Sequence, residues 1–289
     1  MAAPKLVINS EPKLKLGAKG PNTENLQTFL TMFGYMPSPK APKAKAKKKP
    51  APKSSVAFKN MVDPFVATDK PPEFGTFDEA TQTALKSFQA FHGLPPTGVL
   101  DIGTEAELNR PRCGCPDSPG GGSRVAAFAL GPRWSKRNLR YRISRTSQGG
   151  LSAAVVEAAV KDALGIWSDS TTLTFTRVGP SAAADLDIRF EVGRHGDGDA
   201  FDGPFRVLAH AFFPEDGRVH FDDAEAWAMD FPPTNLSTID LITVAAHEFG
   251  HALGLDHSSD RGALMFPTYS GPQRFLGQDD INGIRALYP

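Results

Sequence analysis

Between residues 247 and 257 the chain reads His247-Glu248-Phe249-Gly250-His251-Ala252-Leu253-Gly254-Leu255-Asp256-His257, and this run constrains the fold more tightly than any other. Residues four apart share one face of a helix. His247 and His251 therefore aim both imidazoles at one point if the run is helical. Gly254 permits the left-handed backbone that ends a helix, and His257 then returns as a third nitrogen donor. Three protein donors leave the fourth tetrahedral position of a zinc ion open, the arrangement of catalytic rather than structural sites. Glu248 is placed to take a proton from water at that position and pass it to a leaving amine. The pattern predicts metal-assisted hydrolysis of a peptide bond. Its ligands are His247, His251 and His257, and its catalytic residue is Glu248.

A chain of 289 residues is long enough for two domains. Its 40% hydrophobic and 22% charged residues fit a soluble globular protein. The formal net charge is zero but unevenly spread. Residues 1–123 carry 16 Lys+Arg against 11 Asp+Glu, and residues 124–289 carry 16 against 21. That asymmetry favours a weak, salt-dependent association of the two halves. No apolar run approaches the roughly 18 residues of a transmembrane helix. The first residues lack the apolar core of a signal peptide, which leaves a removed leader, another export route or an internal location. Cys113 and Cys115 are one residue apart, and a bond between them would close a small, strained ring. They form no disulfide framework, so the redox compartment cannot be read from them.

Periodicity predicts a helical unit over residues 14–36, with Asn22 as a cap and Leu26, Phe29, Leu30 and Phe33 at i, i+3, i+4, i+7 spacing. A second helix is expected from near Asp78, with Ala84, Leu85, Phe88 and Phe91 inward, and a short third from Asp101 to Asn109. Between the first two lies a Lys/Pro-rich insert, 37–72. Seven lysines and no acid fall between Lys40 and Lys53, so this segment cannot bury apolar surface and reads as an extended loop. It is either a tether to an anionic polymer, such as cell-wall polymer or nucleic acid, or a solvated spacer. Ser118-Pro119-Gly120-Gly121-Gly122-Ser123 reads as a flexible, protease-accessible linker. Strands are expected at Leu139–Ile143, Leu173–Arg177 and Leu186–Val192, with two short ones after them. Helices are expected near Ser152–Trp167, from Ser237 through the histidine run, and over Gln278–Leu287.

The histidine run, with Ser258 and Ala263-Leu264-Met265-Phe266-Pro267-Thr268-Tyr269, resembles the matrixins, the matrix metalloproteinase branch of the metzincins. The words Leu16-Gly17-Ala18-Lys19-Gly20, Asn25-Leu26-Gln27, Phe88-Gln89, Gly93-Leu94 and Thr97-Gly98-Val99-Leu100-Asp101 resemble the peptidoglycan-binding-like three-helix domain that matrixin propeptides share. The resemblance implies an α+β fold. A matrixin catalytic domain, with a twisted mixed five-stranded sheet and three helices, follows a small three-helix prodomain. The implied boundaries are 1–110 for the prodomain, 111–123 for a cysteine switch and activation linker, and 124–289 for the catalytic domain, with no C-terminal propeller. Met265 would form the hydrophobic floor beneath the zinc. Pro267 and Tyr269 would line the pocket for the substrate side chain just after the cut.

Pro111-Arg112-Cys113-Gly114-Cys115-Pro116-Asp117 resembles the matrixin switch, with Cys115 where an apolar residue is usual. A thiolate is a better zinc ligand than water, so Cys113 would fill the open position and block the site. Arg112 and Asp117 could pair and hold the loop. Cys115 would either compete with Cys113 or only fill the apolar place. Of seven histidines, His195, His210 and His220 fall in one segment, and His195 is followed by Asp197. Three histidines and one aspartate form a closed tetrahedral set, and the matrixin structural zinc uses the same set. Asp202, Asp222 and Glu225, with the carbonyls of Gly203, Phe205 and Val207, resemble the family's calcium site. Asp185 matches a ligand of a second calcium. The segment between His210 and His220 is shorter than the family's, so that ion is lost or rebuilt from Glu215, Asp216 and Gly217.

The resemblance thus implies a secreted, latent zinc endopeptidase, a monomer acting on protein or peptide substrates, with two zinc ions and at least one calcium. Two rivals are a protein anchored to peptidoglycan by its N-terminal module, and a wall-peptide hydrolase.

Overall fold

The computed structural model describes residues 14–37, 73–117, 130–230 and 237–289. The Lys/Pro-rich insert beyond residue 37 and the linker at 118–123 lie outside the described residues.

Three helices form the first unit: α1 (Pro21–Met32), α2 (Glu79–Phe91) and α3 (Ile102–Leu108). Asp78 and Asp101 cap α2 and α3 by accepting the backbone N–H groups of Thr81 and Thr104. The first cap differs from expectation. α1 starts after Gly20 with Pro21 at its first position, and Asn22 lies inside the helix. Proline fits there because that N–H has no helical partner in any case. Leu26, Leu30, Leu85 and Phe88 are fully buried between the helices. Gln27 ties the segments on either side of the insert together, since its amide donates to Glu73 O at 3.0 Å and Thr76 O at 2.9 Å.

The second unit alternates strands and helices. Its elements are β2 (Asn138–Arg145), α4 (Ala153–Ser168), β3 (Thr174–Arg177), β4 (Leu186–Glu191), β5 (Val207–Ala211) and β6 (Arg218–Asp222). A small pair follows, β7 (Trp227–Ala228) and β8 (Ile239–Asp240), then α5 (Leu241–Leu253) and α6 (Gln278–Leu287). β1 (Arg112–Cys113) precedes them all. The sheet runs β1-β5-β6-β4-β2-β3. All its pairings are parallel except β5 with β6. The expected five strands are β2 to β6. The sixth is the switch segment itself, which adds to the open edge of β5. α4 and α5 bury one sheet face: Val156, Val160, Leu164 and Trp167 all point inward, and the Trp167 indole donates to Ala246 O at 2.8 Å.

The histidine helix begins later than expected. Residues 239–240 pair as a strand with β7, and Asp240 caps α5 by accepting the Thr243 N–H at 2.9 Å. Gly254 ends it in the left-handed region, with φ 108°. A Cβ there would stand 2.1 Å from Pro132 O, so both the turn and the close approach require glycine.

Candidate active site

α5 and the turn after it bring His247, His251 and His257 together. Their ligand atoms and Cys113 Sγ all lie within 4.8 Å of one another, and all four residues are buried. Backbone carbonyls orient two of the rings. His247 Nδ1 donates to Leu264 O and His251 Nδ1 donates to Leu255 O, both at 2.7 Å. Each Nε2 is thereby left as a lone pair facing the shared point. Burial pushes His247 down to about 3 and His251 and His257 below the usual imidazole range, so the rings stay neutral. His251 Nε2 has no hydrogen-bond partner. Neutral nitrogens and a thiol converging at tetrahedral number suit zinc.

Glu248 is fully buried beside this cluster, and neither carboxylate oxygen has a partner. Burial raises it to about 8. The chain beneath is fixed by residues that sequence patterns do not single out. Asp280 on α6 accepts the N–H groups of Leu264 and Met265, at 2.6 and 3.0 Å, and Asp279 accepts the Ser258 hydroxyl at 2.6 Å. Met265 packs against α5, and a Cβ on Gly250 would meet its sulfur at 2.3 Å. A cavity of about 150 Å³ opens beside Cys113, His247 and Glu248 and is walled by Pro267 and Tyr269, among others.

The switch lies in the cleft as an extra strand. Arg112 N donates to Arg206 O at 2.7 Å and Gly114 N to Ala209 O at 2.8 Å on one side. On the other, Cys113 N donates to Pro267 O at 2.9 Å and Tyr269 N to Pro111 O at 2.8 Å. This is strand addition to an open sheet edge. The Arg112 guanidinium pairs with Asp117 and lies over the Phe33 ring, 3.5 Å from its centre. The other Asp117 contacts reach both units: Tyr35 donates to it at 2.8 Å, His92 Nε2 lies at 3.3 Å and His257 Nδ1 at 2.9 Å. Its burial is outweighed by Arg112 and these partners, which hold it well below the usual carboxylate range.

His92, Tyr35, Glu107 and Arg261 carry no motif that points to a site. Glu107 contacts His92 Nδ1 at 3.1 Å, the Thr268 hydroxyl at 3.0 Å and the Arg261 guanidinium at 3.1 Å, so α3 is tied to the cleft wall. Arg261 also donates to the His92 carbonyl. The available signal was a histidine in an apolar helix end followed by an acid on the buried side of α3.

The second histidine set also converges. Asp197 Oδ2 lies 2.7 Å from His195 Nε2 and 2.8 Å from both His210 Nε2 and His220 Nδ1. His195 Nδ1 donates to Gly193 O at 2.9 Å, which turns Nε2 inward. β5 and β6 bring His210 and His220 directly opposite each other. The donor set and its closure suit a structural zinc.

Asp202, Asp222 and Glu225 gather under the loop between them. Asp202 Oδ2 and Glu225 Oε2 are buried without a hydrogen-bond partner, and Arg206 Nε lies 3.8 Å from Asp202 Oδ2. Burial and the neighbouring carboxylates raise Glu225 to about 7. Phe205 N donates to Glu225 at 2.7 Å and Val207 N to Asp202 at 3.2 Å. Gly203 N donates to Asp222 at 3.2 Å. Such a partly unsatisfied acidic set fits a hard cation, although its side-chain oxygens are not among the groups that close within 4.8 Å. The second calcium finds no such set. Asp185 is engaged by the Lys136 ammonium at 2.7 Å and by the Arg140 N–H at 2.7 Å. Asp216 pairs with Arg218 at 2.6 Å, and Glu215 accepts from Ser135 at 3.3 Å.

Among the described residues no helix is long and apolar enough to cross a membrane. Residues 66–108 match the model of the putative peptidoglycan binding domain. Human matrix metalloproteinase-20 is 47% identical over 210 residues, covering 71% of this chain and 41% of that protein. Human neutrophil collagenase is 46% identical, covering 71% and 43%, and rabbit interstitial collagenase is 46% identical, covering 71% and 42%. The chain spans about two fifths of the length of these curated relatives. Residues 133–289, more than half of the chain, match the matrixin model, and the match contains the histidine helix, the methionine turn beneath it and every member of the two metal-suited clusters except Cys113: the chain belongs to the matrixin family.

Proposed function

We propose that this chain is a latent zinc endopeptidase that hydrolyses peptide bonds in proteins. Residues 1–110 act as an inhibitory prodomain, 111–123 as switch and activation linker, and 124–289 as the catalytic domain. The observation that carries this reading is the convergence of Cys113 with His247, His251 and His257 beside Glu248.

Zinc, when bound, polarises the scissile carbonyl and makes water nucleophilic near neutral pH. The chain's own residues do the rest. The three Nε2 atoms hold the ion. Glu248 accepts the proton of the attacking water and returns it to the leaving amine. With the switch removed, Arg206 O and Ala209 O lose the bonds that Arg112 N and Gly114 N make to them, and an extended peptide can take the place of the switch. The cavity beside His247 takes a substrate side chain. Cys113 Sγ occupies the position that water needs, and Arg112–Asp117 keeps it there. His195, Asp197, His210 and His220 hold a second zinc. Asp202, Asp222 and Glu225, with the Gly203, Phe205 and Val207 carbonyls, hold a calcium.

The protein acts outside the cell, as a monomer on protein or peptide substrates. Its Lys-rich insert is a spacer. An anchoring role for the N-terminal unit is less well supported, because Glu107 and His92 face the cleft of the second unit rather than a free surface.

The test is hydrolysis of a soluble quenched peptide. The fragment from about Arg124 onward should cleave it, and a chelator should stop it. The full-length chain should be silent, and Cys113→Ser should release activity, because a hydroxyl is a poor zinc ligand at neutral pH. An inactive, folded, zinc-loaded fragment would refute the proposal.

A further inference from the structure

Cys115 has no part in that mechanism, yet it belongs to a cluster of its own. The ligand atoms of Cys113, Cys115, Glu248 and His251 lie within 4.8 Å of one another. The chain folds back at Gly114, so that Cys115 N donates to Cys113 Sγ at 3.3 Å. The path leaves little room: a Cβ at residue 114 would stand 2.8 Å from a Val207 methyl, 3.2 Å from His210 Cβ and 3.3 Å from Ala209 O. The Cys115 thiol donates to Ala211 O at 3.3 Å, parked on β5 and free of any metal set that excludes Glu248. An apolar side chain would fill the same space without chemistry. The cleft cavity reaches Cys113 but not Cys115.

We propose that Cys113 and Cys115 are an oxidisable thiol pair, a modification site at which a small-molecule disulfide converts the two thiols into a Cys113–Cys115 disulfide and withdraws Cys113 from the metal centre. The inference rests on the latent-peptidase reading for its consequence, though not for its chemistry. Cys113, reached through the cavity, attacks one sulfur of the reagent RSSR. The RSSR bond breaks, one RS⁻ leaves, and a mixed disulfide forms on Cys113. Cys115, lying behind, needs no access to the reagent. Its sulfur attacks the Cys113 sulfur, the mixed bond breaks and the second RS⁻ leaves. Two protein sulfurs lose two electrons and one reagent disulfide gains them; Cys113 held by zinc is already a thiolate, so one RS⁻ takes the Cys115 proton and the other takes a proton from water. A sulfur bonded to Cys115 has no thiolate to offer a metal. The ring is small and strained, and strained disulfides are the readily reduced, regulatory ones. The switch is therefore reversible, unlike proteolytic removal of the prodomain.

The test treats the full-length, metal-loaded chain with oxidised glutathione, quenches it with acid, and reads intact mass and free thiols before any peptide assay. The wild type should lose both thiols together, lose the mass of two hydrogen atoms and carry no glutathione. Peptide hydrolysis should appear in step, and dithiothreitol should reverse both changes. Cys115→Val, apolar and close in size, should instead stop at one glutathione on Cys113. Cys115→Ser provides the same arm if valine disturbs folding. A wild-type chain that keeps both thiols, or that holds glutathione on Cys113 with Cys115 free, overturns the proposal. Cys113→Ala separates the two readings. If that variant hydrolyses peptide and the disulfide-bearing wild type does not, the switch is overturned. If neither hydrolyses peptide, the peptidase reading has failed, and the masses still decide the thiol pair.

Discussion

Replacing Glu107 with alanine should loosen the N-terminal unit from the cleft without touching the switch. The carboxylate makes two contacts across the interface. One is the Thr268 hydroxyl at 3.0 Å, on a residue only 6% exposed. Leaving that group unpartnered costs about 1–3 kcal/mol. The other is Arg261, whose side chain is 43% exposed, so its ion pair contributes at most about 1 kcal/mol. His92 also loses a partner, but it sits on the same unit as Glu107, so that loss weakens the unit rather than its grip. The sum is about 1–4 kcal/mol, or roughly 5- to 700-fold more of the open form at about 1.4 kcal/mol per tenfold. Opening is read as the rate at which N-ethylmaleimide labels Cys113 in the full-length chain, located by peptide mass. Arg261→Ala removes the hydrogen bonds to the His92 carbonyl as well as the ion pair and should also raise the rate. The pH dependence follows from the same contacts. Burial raises the Glu107 carboxyl, but His92 and Arg261 outweigh it and hold the group at about 2. A lowered carboxyl stabilises fully above its ordinary value, and that stabilisation is lost as pH falls through about 2. The ratio of Glu107→Gln to wild-type labelling should therefore be flat at neutral pH and fall towards one in acid. Labelling of Glu107→Ala within twofold of wild type would refute the argument.

Glu248→Gln should lower kcat of the activated fragment at least a hundredfold while zinc content stays the same, and wild-type turnover would remove Glu248 from the mechanism. Metal analysis should find two zincs per chain. Substituting His210 should lower Tm more than it lowers kcat, since a closed site supports folding, and one zinc in well-folded protein would eliminate the structural site. Joining Met36 to Glu73 through a short Gly/Ser link should leave an inhibited chain, because Gln27 already ties the two flanks together; spontaneous activity would mean the insert packs against the cleft. Asp280→Ala should release two N–H groups of the methionine turn and destabilise the protein by about 2 kcal/mol or more, read by denaturant unfolding.

The parts legible in the sequence are those where one local pattern dictates the geometry. The i, i+4 histidines and the glycine after them specify helix, stop and return within eleven residues. Apolar spacing placed α2, α4 and α6 nearly to their ends because each buries a single stripe. The misses are places where a distant partner decides. Residues 239–240 extend the sequence's helical run but pair with Trp227 and Ala228, and that pairing wins over propensity. Asn22 is a better cap than Gly20 by residue type, yet Pro21 fixes the first helical position one residue earlier.

The inhibitory interface was the least legible because its chemistry is divided between segments far apart in the chain. Asp117 draws on Tyr35, His92, Arg112 and His257, and Glu107 on His92, Arg261 and Thr268. Each residue alone reads as an ordinary surface or core side chain. Together they place a buried charge network around the one strand that fills the cleft. Its backbone bonds to β5 and to the Pro267–Tyr269 wall would form with any extended peptide. The charge contacts would form only with a peptide that carries an Arg–Asp pair at that spacing. Specific recognition of the chain's own switch therefore resides in Arg112, Asp117 and the residues that meet them, while the backbone ladder supplies a grip that switch and substrate share. In the proposed latent form that division would explain how a strand can lie in this cleft without being cut: Cys113 Sγ stands among the three histidines, and the charges hold it there.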